Sequence, residues 1–284
     1  MIPAAFDYVA PTTVDDAVRA LADAGEDAKV LAGGQSLLPV LRMRLAAPST
    51  LVDLGRIPEL RGIRDEGDKL VIGSMTTHYD VQRDGLVREH ALLLAMATDT
   101  VADPQVRHRG TFGGALAHAD PAGDLLAPAL ALDAEFVVSG MDGRRTVPAA
   151  EYFVDYFTTS MRQGEILIEV RVPKYTGWSA HYEKFNRVAQ AWSMVGVAAA
   201  LRVDGGTIAE ARVGLTNMSA VPVRARTVEE ALVGQPATAE AIRAAAEHAA
   251  DGTNPTADGN ADVEYRQHLA RVLTGRAVAA AAGA

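Results

Sequence analysis

Two diglycine turns, Gly33-Gly34 and Gly113-Gly114, constrain this chain more than any other feature of its sequence. Each lies between an apolar strand or loop and a segment with helical spacing, and each has a hydroxyl residue beside it, Ser36 in one case and Thr111 in the other. Glycine reaches positive φ without strain and, lacking a Cβ, lets another group come against bare main chain. Backbone amides exposed beside a helix start gather around anionic oxygens, so two such turns suit the two sides of one diphosphate. A tight turn with no ligand is the plainer reading of either one alone. Asp124, ten residues past Gly114, adds an acceptor to the second.

The rest of the pattern mixes helices and strands without strict alternation, which predicts an α+β fold rather than a doubly wound sheet. Thr13 to Asp16 reads as a capping box, with Ala17, Val18, Leu21 and Ala22 at helical spacing before Gly25. Strands are expected at 29–32 and 51–54, and Gly55 to Pro58 reads as a loop between lobes. In the next region a strand covers 69–73, Thr76 or Thr77 caps a helix, and an apolar helix surrounds 92–97. Asp120-Pro121 is expected to start a helix running to Leu132. Ile166, Ile168, Val170 and Val172 fall on one strand face by the period of two. Beyond Pro173 to Gly177, strands near 181–185 and 195–203 precede an Asp204-Gly205-Gly206 hairpin turn, and helices begin near Thr227, Ala237 and Asp262. The division expected is 1–54, 55–176 and 177–284, the last a three-stranded antiparallel sheet with helices.

Composition narrows the chemistry. With 27 Lys and Arg against 36 Asp and Glu, the formal charge is −9, which repels phosphate backbones and argues against nucleic acid as partner. The absence of cysteine excludes disulfides, thiolate metal sites, cysteine-ligated iron–sulfur clusters and cysteine nucleophiles within this chain, so any redox chemistry here needs a bound cofactor. The seven histidines form no close-spaced ligand set, and no metal site is expected. No apolar run approaches the ~20 residues of a membrane helix. The start Met1 to Asp7 shows no basic leader before an apolar stretch, and the alanine tail 277–284 is expected to fray, so the chain reads as soluble and cytoplasmic.

Ala32-Gly33-Gly34-Gln35-Ser36-Leu37 and Thr111-Phe112-Gly113-Gly114, followed by Ala117-His118-Ala119-Asp120-Pro121-Ala122-Gly123-Asp124, resemble the FAD-binding subunits of the molybdenum hydroxylase family. The motifs are similar to those of the medium chain of carbon monoxide dehydrogenase and the flavin domain of xanthine dehydrogenase. Gly73-Ser74-Met75-Thr76-Thr77-His78, Glu165-Ile166-Leu167 with Val172-Pro173, and Tyr182-Glu183-Lys184-Phe185 continue the match in order over nearly the whole chain.

The resemblance implies a PCMH-type FAD-binding fold of two α/β lobes with a C-terminal sheet-and-helix lobe, and noncovalent FAD in the cleft between the first two. Carried over by position, Val30, Leu31, Ala32, Gly33, Gly34, Gln35, Ser36 and Leu37 would wrap the diphosphate, with Thr111, Gly113 and Gly114 opposite and Val101 also lining the site. Asp124 would accept from flavin sugar hydroxyls, Leu167 would pack on the cofactor, and Lys184 would lie near the ring. Trp192 falls where relatives often place an aromatic residue against the flavin; core packing is its other reading. Phe112, Ala115 and Ala191 depart from the family pattern. Arg107, His108 and Arg109 offset the diphosphate charge, face a partner, or belong to a solvated turn.

The function implied is that of a flavin subunit in a molybdenum hydroxylase complex. Molybdopterin would sit in a large subunit and iron–sulfur clusters in a small one, the whole a dimer of heterotrimers. FAD in this chain would pass their electrons to an external acceptor. Two other readings stand beside it: a stand-alone FAD-dependent oxidase or reductase, for which no acid/base pair is evident, and a flavin-free assembly module.

Overall fold

The computed structural model describes all 284 residues, Met1 to Ala284. The first lobe is a parallel three-stranded sheet in which Thr50–Asp53 lies between Asp7–Val9 and Lys29–Leu31. Parallel neighbours require a crossover, and the helix Val14–Ala24 supplies one. It begins where Thr13 Oγ1 accepts from the Asp16 amide at 3.1 Å and ends at Gly25, φ +77°. Val14, Ala17, Val18 and Leu21 form its buried stripe.

The second sheet is antiparallel, in the order Ile63–Glu66, Lys69–Gly73, Ile166–Pro173, Glu135–Gly140 and Gly143–Pro148. Its third strand does not present one face throughout. A β-bulge between Leu167 and Glu169 shifts the phase, so Ile166 and Ile168 pack with the first lobe's core, whereas Leu167, Val170 and Val172 face the helices of the second. The expected common face for Ile166, Ile168, Val170 and Val172 is therefore corrected. Gly55 to Pro58 is not a loose separator either, since Ile57 and Leu60 are buried among residues of both lobes.

The C-terminal sheet has four strands rather than the expected three: Ser179–Phe185, Val195–Asp204, Thr207–Thr216 and a short edge, Val223–Arg224. Gly205 and Gly206, at φ +56° and +81°, make its two-residue hairpin turn. Along Val195–Asp204, Val197, Ala199 and Leu201 face the C-terminal helices, and Ala198 and Ala200 face the core of the second lobe. This close packing extends to Gly214, where a Cβ would stand 2.5 Å from the Ala127 carbonyl oxygen. Two further expectations change. Asp120 caps no helix; its Oδ1 accepts from the Ala122 amide at 2.9 Å, and the helix is Leu126–Ala131. The alanine tail is the packed end of the helix Val263–Ala282, with Ala277, Val278 and Ala281 buried. No helix is long and apolar enough to cross a membrane.

His78 joins the segments on which the glycine turns are built. It opens the helix His78–Arg83, capped by Thr77, and its amide donates to the Gly110 carbonyl at 3.0 Å. Burial, and secondarily Arg107, pushes its imidazole down to about 4. The unfolded chain takes up this proton near 6.5 and the folded chain only near 4, so stability falls as pH drops through that interval and the loss is complete below it. At 1.36 kcal/mol per unit, the loss is about 3 kcal/mol. Urea unfolding between pH 7.5 and 4 should show it, and His78→Gln should flatten that part of the profile. Ala277→Glu places a carboxylate in the core and should lower stability by about 3 kcal/mol, seen as a reduced urea midpoint; an unchanged midpoint would mean that the tail is not packed.

Candidate functional site

The strand Lys29–Leu31 leads into Ala32, Gly33, Gly34, Gln35 and Ser36 before the short helix Leu37–Arg42. Gly34 has φ +76°, a left-handed position that glycine occupies without strain. Gly33 serves a different need. A Cβ there would lie 2.3 Å from the Arg109 carbonyl oxygen and 2.7 Å from Gly110 Cα, so main chain rests on main chain where the two glycine segments meet. Gly114 sits close by, with Ala32 Cβ 3.3 Å from where its own Cβ would be. The two turns converge.

They are not equivalent. The amides of Gly33, Gly34, Gln35 and Ser36 donate to no group of the protein. In the second turn the corresponding donors are spent internally. Phe112 N–H donates to Thr76 O and Gly113 N–H to Ser74 O, both at 2.9 Å, while Gly114 N–H donates to Thr111 Oγ1 at 3.1 Å. A second cradle of free amides, expected from the diglycine pattern, is thus absent there. Thr111 is the N-cap of the helix Phe112–His118, and Gly113 lets that helix seat against Ser74, whose Cα would be 2.6 Å from an added Cβ. Phe112, a departure from the family pattern, is fully buried in the second lobe's core.

Charge distinguishes these loops from the rest of an acidic chain. Residues 29–45 include Lys29, Arg42 and Arg44 and no carboxylate; residues 104–119 include Arg107, His108 and Arg109 and no carboxylate. Arg107 Nη1 donates to Val101 O at 2.9 Å and Ala102 O at 3.4 Å, shaping a turn in which Ala102 has φ +42°. Arg107 therefore organises Val101 instead of pointing into solvent. His108 stacks on Tyr79 with ring centroids 3.9 Å apart, and Arg109 supplies the carbonyl that meets Gly33. His118 lies elsewhere, against Phe157.

Asp124 and Lys184 meet between the second and third lobes. Lys184 Nζ donates to Asp124 Oδ2 at 2.7 Å and to Thr100 O at 3.2 Å, and both side chains are buried. Asp124 Oδ1 accepts from Ser193 Oγ at 2.7 Å and Tyr182 Oη at 3.0 Å. Burial raises the Asp124 carboxyl above the ordinary carboxylate range, opposed by Lys184, Ser193 and Tyr182. Both oxygens thus already accept from this chain, a role that the sequence does not announce. Leu167 is buried on the helix-facing side of its sheet; the amide of Ser74, the residue behind Gly113, donates to the carbonyl of neighbouring Ile168 at 3.0 Å. Trp192 is 57% exposed, which overturns its reading as core.

The arrangement fits a dinucleotide's diphosphate: free amides on one side, glycines that let the two segments meet, and no acidic residue in either segment. Known proteins agree. A family model described as the FAD binding domain in molybdopterin dehydrogenase matches residues 4–175, and one for the CO dehydrogenase flavoprotein C-terminal domain matches residues 180–281. The carbon monoxide dehydrogenase medium chain of Hydrogenophaga pseudoflava is 43% identical over 99% of this chain and 98% of its own. A 6-hydroxypseudooxynicotine dehydrogenase complex subunit alpha from Paenarthrobacter nicotinovorans is 36% identical over 99% of this chain and 96% of its own. Among solved structures, carbon monoxide dehydrogenase from Hydrogenophaga pseudoflava superposes with a TM-score of 0.95 at 44% identity, covering 99% of this chain and 98% of that one. Quinoline 2-oxidoreductase from Pseudomonas putida 86 gives 0.95 at 33%, covering 100% and 99%. These matches favour neither a stand-alone oxidase nor a flavin-free module. Matched end to end by both family models and by these relatives, the chain belongs to the FAD-binding medium subunits of the molybdenum hydroxylases.

Proposed function

We propose that the Gly33 to Ser36 amides hold the diphosphate of FAD, with Thr111, Gly113 and Gly114 closing on it from the other side. The observation that carries this reading is the meeting of the two glycine segments beside four unengaged amides. Val30, Leu31, Ala32 and Leu37 complete the first wall, and Val101, held by Arg107, and Leu167 supply apolar contact. Lys184, paired with Asp124 at 2.7 Å, lies near the ring, and Asp124 Oδ2, whose one donor in this chain is Lys184, accepts from a flavin sugar hydroxyl. Trp192 is available to cover the flavin from its exposed loop. FAD, when bound, accepts electrons singly and delivers them in pairs. The chain's part is to orient it, to limit water at the buried side and to fix the charge around it.

In this reading the three lobes span 1–54, 55–176 and 177–284. The chain works as the electron-transfer subunit of a cytoplasmic complex. Its iron–sulfur clusters must be ligated by another chain, because this one has no cysteine. A small iron–sulfur subunit and a large molybdopterin subunit are the partners, assembled as a dimer of heterotrimers. Relatives are named as a carbon monoxide dehydrogenase medium chain, a nicotine 6-hydroxylase medium subunit and a caffeine dehydrogenase subunit beta, which supports a complex of several subunits.

Purification with its partners should give a complex containing flavin, molybdenum and iron, with the mass of two heterotrimers by light scattering. Gly33→Asp and Gly114→Asp should each abolish flavin retention, read from the visible absorption of the purified protein, since a Cβ at Gly33 would strike the Arg109 carbonyl oxygen and one at Gly114 would strike Thr111 Oγ1, displacing the two segments that form the site. Gly259→Asp, where an added side chain meets nothing within 4 Å, should retain it. Full flavin occupancy in both of the first two variants would remove the site from this position.

A further inference from the structure

We infer that Arg266, on the C-terminal helix, is a positioning residue for the loop that carries Trp192. This rests on the flavin-site reading only for the use to which Trp192 is put. The loop joins Ser179–Phe185 to Val195–Asp204; Val188 and Trp192 in it are 65% and 57% exposed, whereas Met194 at its end is buried in the third lobe's core. Apolar burial thus seats the end of the loop and leaves the indole outside the core. The polar contacts that reach the loop lie directly behind Trp192, at Ser193 and Met194.

Four groups converge on those two residues. Ser193 Oγ donates to Asp124 Oδ1 at 2.7 Å, and Asn217 Nδ2 donates to Ser193 O at 2.8 Å and Met194 O at 3.3 Å. Met194 N–H donates to Phe185 O at 2.8 Å, closing the loop's neck. Arg266 Nη1 donates to Met194 O, and Nη2 pairs with Asp258 Oδ2 at 2.8 Å. The Arg266 side chain is 2% exposed, the largest fully buried in the chain, while Asp258 is 46% exposed. A buried guanidinium carries a desolvation cost that its contacts offset; here Nη1 and Nη2 are engaged and Nε has no partner. Here its planar fork spans two loops at once, and a lysine would reach one acceptor with a point charge. Asn217 is fixed in turn: it has φ +62°, and its amide donates to Pro121 O at 2.9 Å. Residues 186–194 and 251–262 are thereby tied to one buried cation, and the indole projects from that tie.

The test uses the full chain carrying Trp178→Phe, which leaves Trp192 as its sole tryptophan. Time-resolved anisotropy of Trp192 in the parent should contain a slow component that follows whole-molecule tumbling. Arg266→Met should lose that component while far-ultraviolet circular dichroism is retained; Arg266→Lys should recover it only in part. Asn217→Gly, which tolerates the positive φ and removes the amide, should show the same loss, and it carries the test if Arg266→Met does not fold. A stability loss in folded variants with the slow component intact would overturn the inference, because a merely structural arginine predicts that result. Titration with FAD separates the two readings. If the parent binds FAD, Arg266→Met should lose the quenching of Trp192 by bound flavin, as should a control in which FAD is displaced. Loss of anisotropy in a chain that never binds FAD supports the clamp and sinks the flavin site instead.

Discussion

Bare main chain against bare main chain, at Gly33 on one side and Arg109 to Gly110 on the other, is the contact on which the rest of this molecule's site depends. A Cβ at Gly33 would stand 2.3 Å from Arg109 O, so the loop after the first parallel strand sits where it does only because there is no side chain in between. Similar contacts extend the arrangement inward. Gly110 lies against the His78 ring, Gly113 against Ser74, and Gly73 against the Leu60 carbonyl. Each brings backbone against another segment of the second lobe, and interiors packed this closely transmit position rather than yielding. The four free amides of Gly33 to Ser36 therefore point from a loop that is held from behind. Such a cradle needs little reorganisation when an anion arrives.

The middle sheet makes this possible by serving two cores. Ile166 and Ile168 face the first lobe and Leu167, Val170 and Val172 face the helices, a switch produced by one extra residue at the bulge. Strand alternation does the same at the next junction, where Ala198 and Ala200 face the second lobe and their neighbours face the third. Three lobes with their own sheets are thus one continuous packed body. Ile57 and Leu60 belong to it although they lie in what looks like a connecting loop.

Local signals in the sequence carried much of this. The cap at Thr13, the cap at Thr76 or Thr77, the helix start near Asp262 and the Gly205-Gly206 hairpin turn are decided within a few residues; the structure has the first and last where the sequence puts them, chooses Thr77 for the second and makes Asp262 an N-cap. The convergence of the two glycine turns was legible through family resemblance more than through physics, because eighty residues separate them. What stayed hidden depends on distant partners. The bulge at Ile168 is set by register against Glu135–Gly140, and no period along one strand reveals it. Asp124 meets Tyr182 and Lys184 across 58 and 60 residues, and Arg266 meets Met194 across 72. The free-amide asymmetry is hidden too, since Thr111 and Ser74 consume the second turn's donors through contacts that an isolated diglycine does not advertise.

The Asp124 and Lys184 pair shows why such hidden contacts matter more for geometry than for stability. Removing two charges from water costs several kcal/mol per ion in practice, and attraction in the interior returns this only when the remaining lone pairs and protons are also engaged. Asp124 meets that condition with Ser193 and Tyr182, and Lys184 with the Thr100 carbonyl. An apolar pair would fill the same volume at no electrostatic cost, but it would slide. The ion pair instead admits one arrangement of three elements: the C-terminus of the helix Leu92–Asp99 at Thr100, the segment before Leu126–Ala131, and the strand Ser179–Phe185. Because Ser193 hangs from the same carboxylate, the loop bearing Trp192 inherits that arrangement, and the third lobe is oriented on the second by hydrogen bonds as well as by alanine-faced packing.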